Sequence, residues 1–484
     1  MYTDHGPKLY LKVVVNKQKT KVLFAEANSD FIDVLLSFLT LPLGKLVTKL
    51  PTAVGSLNTL CSGLSNLYNS HFCVGGAKQM LVSPKSSFED ECRRLKLDIT
   101  DSQPTRYFLC QDRNCPRSGS TNISLYSDIA ICSCGKPLNR EIRVAAGNVS
   151  DGDGVFTINP LSFLVTDDLR TAPIVTGFLQ TLNNLGITDT EGAELRILSF
   201  GMLEIKELLK LSIFSATPLT DLVIKKTQMS STAVKPEPGI LLHHIEKDAA
   251  NSRPRKMVLK VCLQKSTNKF LFAEATNEFV DFLFSFVTVP LGGVEFLLGG
   301  NTGLKNIDNL YKSVTDSIDN KYFRTPEMKN RLINPKLAHG YISSNHFLPL
   351  TQDTPPKLYY ESQWNVSRKL NEVTYFHHHE KGGSLVYSFK SSECLGYYYV
   401  KKQTICFVTD DLTVTPSLAT SISILNGKGI PLSDLKEIEL QIGLEEALSI
   451  LKASLTSKTP LSDVLIKPML NKLPKLEHQP KQER

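Results

Sequence analysis

Four cysteines in the first half of the chain have a spacing that suits a metal ion. Cys110 and Cys115 form one close pair, and Cys132 and Cys134 form a second pair after sixteen intervening residues. Two such pairs can supply four thiolates to one tetrahedral zinc ion when the loop between them folds back. Gly135 suits the tight turn of such a metal knuckle. The spacing therefore predicts a structural zinc site. Ordinary thiols remain the alternative, because neither pair has the usual two-residue gap.

Two acidic positions occur in both halves of the chain. They are Glu26 and Asp33 in the first half and Glu274 and Asp281 in the second. A pair of carboxylates can perform acid–base catalysis if their environments separate their pKa values. We expect each Glu at a strand end and each Asp in the first turn of the next helix, where the helix dipole favours acids for structural reasons. The prediction is a structural role, and catalysis is the alternative.

Two Asp-Asp pairs are candidate cation ligands. Asp167 and Asp168 lie in the first half, and Asp410 and Asp411 lie in the second. Their carboxylate oxygens could bind a hard cation, but acidic residues that follow a strand more often cap a helix. Helix capping is therefore predicted.

Lysines on two predicted hairpins and a run of histidines are weaker candidates. The lysines could contact phosphates, yet no aromatic residues alternate with them as a base-stacking platform. The run His377–His379 lies in a predicted loop and is expected to be exposed to solvent. The lysines concerned are Lys17, Lys19, Lys21, Lys265 and Lys269. The sequence contains no GxxxxGK(S/T), HExxH or GxSxG motif.

Alternating and helical patterns predict the elements that must position these residues. Leu9, Leu11, Val13 and Val15 alternate with other side chains, which is typical of a half-buried strand, and a second strand follows at 21–25. A helix is then predicted with Ser29 or Asp30 as its cap and an apolar stripe of Phe31, Leu35, Phe38 and Leu39, ending at Pro42 and Gly44. Later stripes predict helices around Ile205–Ile213 and Ala447–Leu455.

The most apolar segment, Phe279–Gly300, is long enough to resemble a membrane span. Asp281 and Glu295 lie within it, and Pro290 divides it into two short pieces. A spanning helix needs about 20 uninterrupted apolar residues. We therefore predict buried helices, with a segment that dips into a membrane as the alternative.

The chain repeats itself. Residues 12–44 read KVVVNKQKTKVLFAEANSDFIDVLLSFLTLPLG, residues 260–292 read KVCLQKSTNKFLFAEATNEFVDFLFSFVTVPLG, and 18 of these 33 positions are identical. Val165–Leu169 recurs as Val408–Leu412, and Thr217–Asp221 recurs as Thr459–Asp463. The order of the motifs is the same in both halves. A tandem duplication is therefore predicted, with a repeated unit slightly shorter than half of the chain.

The LFAEA, Thr-Asp-Asp-Leu and TPL(T/S)D motifs resemble a plant-expanded family catalogued as domain of unknown function 674. The resemblance covers nearly the whole chain in two tandem copies. It implies a lineage and no established activity.

The fold class predicted from the mixture of strands and helices is α+β, because they do not alternate strictly. The predicted divisions are a first unit at 1–227 with the cysteine cluster, a linker at 228–253, a second unit at 254–467 and a disordered tail at 468–484. The counterpart of the cysteine cluster, around Leu358–Leu395, contains only Cys394. Aromatic packing is expected to replace the zinc there, from Tyr359, Tyr360, Trp364 and Tyr397–Tyr399.

Composition limits the class of protein. Hydrophobic residues make up 41% of the 484 residues and the net charge is only +7, which does not suit a dedicated nucleic-acid binder. The N-terminus lacks a secretory pattern, so the ten cysteines are interpreted as reduced thiols in the cytoplasm or nucleus.

Three functions remain open at this point. The leading hypothesis is a non-enzymatic interaction or regulatory protein with a protein partner, two homologous units and a structural zinc site. The alternative is an enzyme that uses the repeated carboxylates. A weaker alternative is a peripheral membrane protein that uses the segment Phe286–Leu298. The oligomeric state and the identity of any partner do not follow from the sequence.

Overall fold

Two five-stranded sheets, one from each half of the chain, organise this protein in a computed structural model. The structure describes residues 6–112, 114–115, 122–142, 154–175, 177–184, 188, 190–224, 255–342, 346–354, 359–360, 384–385, 388–389, 398–402 and 405–472. The predicted linker at 228–253, the run His377–His379, Trp364 and Cys394 lie outside these residues.

The first half contains strands β1–β8 and helices α1–α8. In chain order they are β1 Leu9–Val15, β2 Val22–Asn28, α1 Ser29–Leu36, α2 Leu43–Lys49, α3 Leu57–Asn66, α4 Ala77–Val82, α5 Glu89–Cys92, β3 Tyr107–Cys110, β4 Asn122–Ile123, β5 Leu138–Ile142, β6 Ser162–Thr166, β7 Thr171–Pro173, α6 Phe178–Asn184, β8 Glu194–Phe200, α7 Met202–Phe214 and α8 Pro218–Val223. Short 3-10 helices cover Ser37–Thr40 and Asn69–His71.

The second half contains strands β9–β16 and helices α9–α15. They are β9 Met257–Gln264, β10 Phe270–Ala275, α9 Asn277–Ser285, α10 Leu291–Leu297, α11 Lys305–Lys312, α12 Pro326–Ile333, β11 Tyr359–Tyr360, β12 Ser384–Leu385, β13 Ser388–Phe389, β14 Cys406–Val408, β15 Val414–Thr415, α13 Leu418–Gly427, β16 Leu435–Ile442, α14 Leu444–Thr456 and α15 Lys467–Lys472. Short 3-10 helices cover Phe286–Thr288, Asn320–Tyr322 and Leu432–Asp434, and π-helical turns cover Ser313–Ser317 and Ser462–Ile466.

The two large sheets have corresponding strand orders. The first is β7-β6-β2-β1-β8 and the second is β15-β14-β10-β9-β16. Every pairing within them is antiparallel. The helices lie between and after the strands without a βαβ crossover pattern. The α+β class is therefore confirmed.

The first hairpin forms where the alternating pattern predicts it. Every second side chain of β1 is buried, and the side chain of Asn16 closes the turn by accepting hydrogen bonds from the N–H groups of Thr20 and Lys21. The predicted cap of α1 is wrong. Asn28 is the cap and accepts from the Phe31 N–H at 3.1 Å, because β2 extends three residues further than predicted and the helix begins directly at its end.

The apolar segment that begins at Phe279 forms buried helices, as predicted. α9 and α10 follow one another across a 3-10 turn, and most of their side chains lie in the core. Phe286 and Leu298, which bound the segment assigned to membrane contact in the weakest hypothesis, are both buried. Since core side chains are not available to a lipid surface, that hypothesis loses its candidate residues.

The Pro-Leu-Gly segments of the two halves pair with each other through the backbone. The Leu43 N–H donates to the Val289 carbonyl at 2.9 Å. The Leu291 N–H donates to the Leu41 carbonyl at 2.8 Å. In the ungapped match of the two repeated segments, Leu41 aligns with Val289 and Leu43 aligns with Leu291. The contact is therefore reciprocal, as in an interface between two copies of the same surface.

Two repeated glycines make this approach possible. A Cβ atom on Gly44 would lie 3.1 Å from the Val287 carbonyl oxygen, and one on Gly292 would lie 3.0 Å from the Leu39 carbonyl oxygen. The prediction that Gly44 ends a helix is wrong, since it is the second residue of α2. Its small size serves the contact between the halves.

Helices of each half also reach across to the other. In the second half, the Asn306 side chain in α11 donates to the Ser212 and Ser215 carbonyls of the first half at 3.1 and 2.7 Å. In the first half, the Ser56 N–H donates to the Ser454 carbonyl in α14 at 2.9 Å. One hydrophobic cluster accordingly contains core residues of both halves. The predicted unit boundaries stay predictions; α15 continues to Lys472, and residues 473–484 lie outside the described residues.

Filling the space at Gly292 tests the contact between the halves. We expect Gly292→Val to lower the free energy of unfolding by about 1–3 kcal/mol, because the added side chain meets the backbone of Leu39. Gly75→Val is the matched control, since a Cβ atom there meets nothing within 4 Å. Urea denaturation of both variants measures the effect. Equal stability of the two variants would contradict the close approach.

Candidate metal centre

The four predicted cysteines meet in space. Their sulfur atoms all lie within 4.8 Å of one another. Cys110 Sγ lies 3.5 Å from Cys134 Sγ, and Cys115 Sγ lies 3.8 Å from Cys132 Sγ. A zinc ion with four sulfurs at about 2.3 Å in tetrahedral geometry separates the sulfurs by about 3.8 Å. The cluster therefore has the composition and the size of a metal site with four cysteine ligands.

A small hairpin positions three of the four thiols. β3 and β5 pair antiparallel, and Cys110 is the last residue of β3. Cys132 and Cys134 lie in the turn that leads into β5, where the Gly135 N–H donates to the Cys132 carbonyl at 2.8 Å. Gly135 has φ = +85°, a conformation that glycine adopts without steric cost. The predicted turn at Gly135 is confirmed.

Polar contacts shape the loop that carries the fourth thiol and tie it to the hairpin. The Cys115 N–H donates to the Asp112 carbonyl at 3.3 Å, and the Asn114 N–H donates to the Asp112 carboxylate at 2.9 Å. Lys136, beside the second pair of cysteines, donates to the same carboxylate at 2.8 Å. The two loops therefore approach each other through polar contacts as well as through the sulfurs.

Burial divides the four thiols into two groups. Cys110, Cys115 and Cys132 are 3–5% exposed, whereas Cys134 is partly exposed. Burial raises the pKa of Cys110 to about 12. The backbone N–H of Lys136 lowers the pKa of Cys134 to about 7. A bound cation would stabilise the thiolate form of all four ligands, because metal binding displaces their protons.

The part of the chain that contains β3, β4 and β5 also pairs with a strand from the second half. β13 pairs in parallel with β4, and β11 pairs with β12. Of the aromatic residues predicted to replace zinc in the second half, Trp364 and Tyr397 lie outside the described residues, and Tyr359 and Tyr360 form β11. Tyr399 is buried and donates its hydroxyl hydrogen to the Tyr341 carbonyl, which is a packing and hydrogen-bonding role.

The repeated Asp residues hold the chain where it returns to each sheet. Asp33 is buried and accepts from the N–H groups of Val155 and Thr157 at 2.6 and 2.8 Å, and from the Thr157 hydroxyl at 2.8 Å. Asp281 is also buried and accepts from the N–H groups of Tyr399 and Val400 at 2.7 and 3.0 Å. The predicted position is wrong, since each Asp is the fifth residue of its helix and lies in the second turn.

The repeated Glu residues point elsewhere and do not meet these Asp residues. Glu26 is about one-third exposed and pairs with Lys12 at 2.9 Å on the outer side of β1 and β2. Glu274 lies directly across from Lys260 in the β9–β10 pairing. A site built from one Glu and one Asp therefore has no geometric basis in either half.

The first Asp of each Asp-Asp pair accepts hydrogen bonds from the start of a helix that is distant in the sequence. Asp167 accepts from the Thr220 N–H at 2.8 Å and from its hydroxyl at 2.7 Å. Asp410 accepts from the Ser462 N–H at 2.8 Å and from its hydroxyl. Both partners belong to the repeated TPL(T/S)D motif. The predicted capping of the next helix is wrong: the first Asp of each pair instead binds the start of a helix that is remote in sequence.

The second Asp of each pair fixes a turn. Asp168 accepts from the Thr166 hydroxyl at 2.6 Å and pairs with Arg170 at 2.9 Å. The following residues, Leu169 and Leu412, both have positive φ, at 63° and 64°. The Thr-Asp-Asp-Leu motif is thus a tight turn between two strands.

Glu295 is a buried carboxylate that the sequence indicates only as a charge interrupting an apolar run. Glu295 is fully buried, and its carboxyl oxygen lies 3.0 Å from the Thr302 hydroxyl oxygen. The same hydroxyl donates to Asp308 at 2.6 Å. Burial and the neighbouring Asp308 raise the pKa of Glu295 well above its usual range. Only the structure shows this pairing, because the two acids belong to different helices, α10 and α11.

The hairpin lysines are exposed, as predicted, and one of them has an ionic partner. Lys19 pairs with Glu194 at 2.7 Å. Lys17 packs its alkyl chain near Gly192. These contacts fit a solvated turn at the edge of the first sheet.

Comparisons with known proteins identify one family, which matches the chain over two ranges. The family described as Protein of unknown function (DUF674) matches residues 5–443, and a second match covers residues 399–483. No curated protein and no solved structure matches the chain. Within the described part of the chain, no helix is both long enough and apolar enough to span a membrane.

The buried Asp33 predicts a pH dependence of stability. Burial raises its pKa from 3.8 to about 6, so between these values the folded chain keeps a proton that the unfolded chain has released. Its contribution to the unfolding free energy therefore falls as pH rises from about 4 to about 6, by on the order of 2–3 kcal/mol, and is constant above that.

Urea denaturation of wild type and Asp33→Asn between pH 4 and pH 7.5 measures this contribution as the difference between the two curves. We expect the advantage of the wild type to shrink across that interval. Glu26→Gln is the control, because it neutralises another repeated acid that is about one-third exposed and paired with Lys12 instead of buried. A pH-independent difference for Asp33→Asn would contradict the buried, raised pKa.

Proposed function

The chain belongs to the DUF674 family of proteins of unknown function, and we propose that it is a non-enzymatic interaction protein with a structural zinc site. Cys110, Cys115, Cys132 and Cys134 hold the zinc in this proposal. The observation that carries it is the convergence of four sulfurs within 4.8 Å. Four protein ligands leave no open coordination position for a substrate, which is the arrangement of structural zinc sites.

The contacts of the repeated acids support a non-enzymatic function. Asp33 and Asp281 bind returning backbone, and Asp167 and Asp410 bind helix starts. Each of these carboxylates is thus committed to protein groups. The enzyme hypothesis would require at least one of them to face a substrate.

We further propose that the two halves are homologous units that arose by duplication. The support is the corresponding strand order of the two sheets and the reciprocal backbone contact between residues 41–43 and 289–291. An intracellular location, cytoplasmic or nuclear, belongs to the same proposal, because the zinc site needs its cysteines in the reduced form.

Exposed apolar side chains at corresponding positions support a protein partner. Leu179 in α6 is 72% exposed and Ile422 in α13 is 52% exposed. Each lies three residues before a leucine that packs on its own sheet, Leu182 in the first half and Leu425 in the second. Apolar side chains held outward by rigid helices suit a contact with an apolar surface of another protein. Two such positions on one chain would raise its avidity for a partner with matching sites.

Metal analysis tests the zinc site. We expect the purified full-length protein to contain one zinc per chain, and a Cys132→Ser, Cys134→Ser variant to contain none. Removing zinc with a chelator should lower the midpoint of thermal unfolding by at least about 2 °C, because only the folded cluster binds the metal tightly. Inductively coupled plasma mass spectrometry and calorimetry measure the two effects.

Cys73→Ser is the matched control, because Cys73 lies outside the cluster and its loss should leave the zinc content unchanged. Absence of zinc from the wild type, or full zinc content in the double variant, would overturn the assignment.

Quantitative affinity capture tests the interaction surface. We expect Leu179→Asp combined with Ile422→Asp to reduce the recovery of the proteins captured by the wild type at least about fivefold, because a charge opposes burial of these positions. Gln180→Asp combined with Ser423→Asp is the control, since it adds the same charges one residue away at exposed positions. Equal recovery by the two double variants would count against these positions as the contact surface.

A further inference from the structure

The close sulfur contacts in the cluster join one loop to the other. Cys110 Sγ lies 3.5 Å from Cys134 Sγ, and Cys115 Sγ lies 3.8 Å from Cys132 Sγ. In each contact, one cysteine belongs to the sequence pair Cys110 and Cys115, and the other belongs to the sequence pair Cys132 and Cys134. The arrangement that suits a metal ion therefore also places the sulfurs as two pairs that could bond directly across the same gap.

Access to this cluster is through one residue. Cys134 is partly exposed, whereas the other three thiols are at most 5% exposed. It lies in a turn whose neighbouring residues, Gly135 and Lys136, are exposed. An oxidant in solution can reach the Cys134 sulfur first, and the Cys110 sulfur lies 3.5 Å from it inside the cluster.

We propose that the cluster is a peroxide-responsive thiol site, in which oxidation replaces the metal by two disulfides, Cys110–Cys134 and Cys115–Cys132. This inference rests on the proposed zinc site. In this proposal, the metal stabilises the reduced cluster and is released when the cysteines are oxidised.

The chemistry balances with a hydroperoxide as the oxidant. The Cys134 thiolate attacks the outer peroxide oxygen, the O–O bond breaks and sulfenic acid forms, and the leaving alkoxide, or hydroxide from hydrogen peroxide, takes up a proton from solvent. The Cys110 thiolate then attacks the Cys134 sulfur, an S–S bond forms, and hydroxide leaves and takes up a proton as water. The two sulfurs lose two electrons and the peroxide gains them. A second peroxide oxidises Cys115 and Cys132 in the same way.

Loss of two thiolates leaves too few ligands to retain zinc, and loss of all four leaves none. The two new bonds connect the same loops that the metal connected. Oxidation should therefore release zinc while the hairpin of β3 and β5 stays closed, whereas chelation of the reduced protein releases zinc and leaves the loops unlinked. The two metal-free forms are expected to differ in stability, with the oxidised form the more stable.

Three described cysteines outside the cluster are poorly suited to this reaction. Burial raises the pKa of Cys61 and Cys406 to about 11 and that of Cys92 to about 12. A thiol reacts as its thiolate, so these three residues should remain reduced while the cluster is oxidised.

The test exposes the full-length, metal-loaded protein to hydrogen peroxide at one to four equivalents per chain. Released zinc is followed with a chromogenic chelator, and disulfides are mapped by mass spectrometry of peptides prepared without reductant. We expect release of one zinc per chain after about one equivalent, when the first disulfide removes two ligands, and both Cys110–Cys134 and Cys115–Cys132 bonds after about two equivalents. Cys73→Ser should behave as the wild type, and reduction followed by added zinc should restore the metal.

Each other outcome is decisive. Retention of zinc with all four cysteines reduced, release with sulfinic or sulfonic acids in place of disulfides, or bonds to cysteines outside the cluster would overturn this inference and leave the zinc site standing. Protein that contains no zinc before treatment would overturn the proposed function, and this inference with it.

Discussion

The reciprocal backbone contact at Pro42 and Pro290 is the constraint around which the molecule is built. In each half, this contact lies in the short segment between a 3-10 helix and the next α-helix. The two segments pair with each other as an antiparallel bridge. Gly44 and Gly292 must lack side chains for the backbones to approach so closely. Because the contact is made before the middle helices of each half, it directs α3 and α11 onto the opposite half, and one core contains side chains from both. The segment that repeats most strongly in sequence is thus the segment that joins the halves.

The repeated motifs account for the frame, and the candidate chemistry lies where the halves differ. Asp33 and Asp281 bind backbone N–H groups shortly before β6 and β14. Asp167 and Asp410 bind the start of the helix that contains the TPL(T/S)D motif in each half. These roles need a carboxylate at each position but no substrate. All four cysteines lie in the first half, between the end of β3 and the start of β5. A metal bound there would connect two loops whose own core consists of little more than the thiols, Ala130 and Leu138, and so small a core would gain stability from the metal.

The hairpins, the apolar helices and the four-cysteine site could be predicted because each depends on local spacing. Alternation of β1, the stripe of α7 and the pairing of cysteines around a turn are each visible within one short stretch of the sequence. The partners of Asp33 and Asp167 could not be predicted, since the groups they bind lie far away along the chain and only the tertiary fold brings them together. The predicted cap of α1, Ser29 or Asp30, lies one or two residues too late because Asn28 both ends a strand and starts a helix. Gly44 was misread as a helix end, since its role is set by a chain segment in the other half.

X-ray absorption spectroscopy at the zinc edge, on the full-length protein purified under reducing conditions, measures the ligands of the metal directly. The structure predicts a single shell of four sulfurs at about 2.3 Å with no nitrogen or oxygen ligand. A shell with two or fewer sulfurs, or one that includes nitrogen or oxygen ligands in place of a thiolate, would contradict a closed four-cysteine site and with it the structural role assigned to the metal.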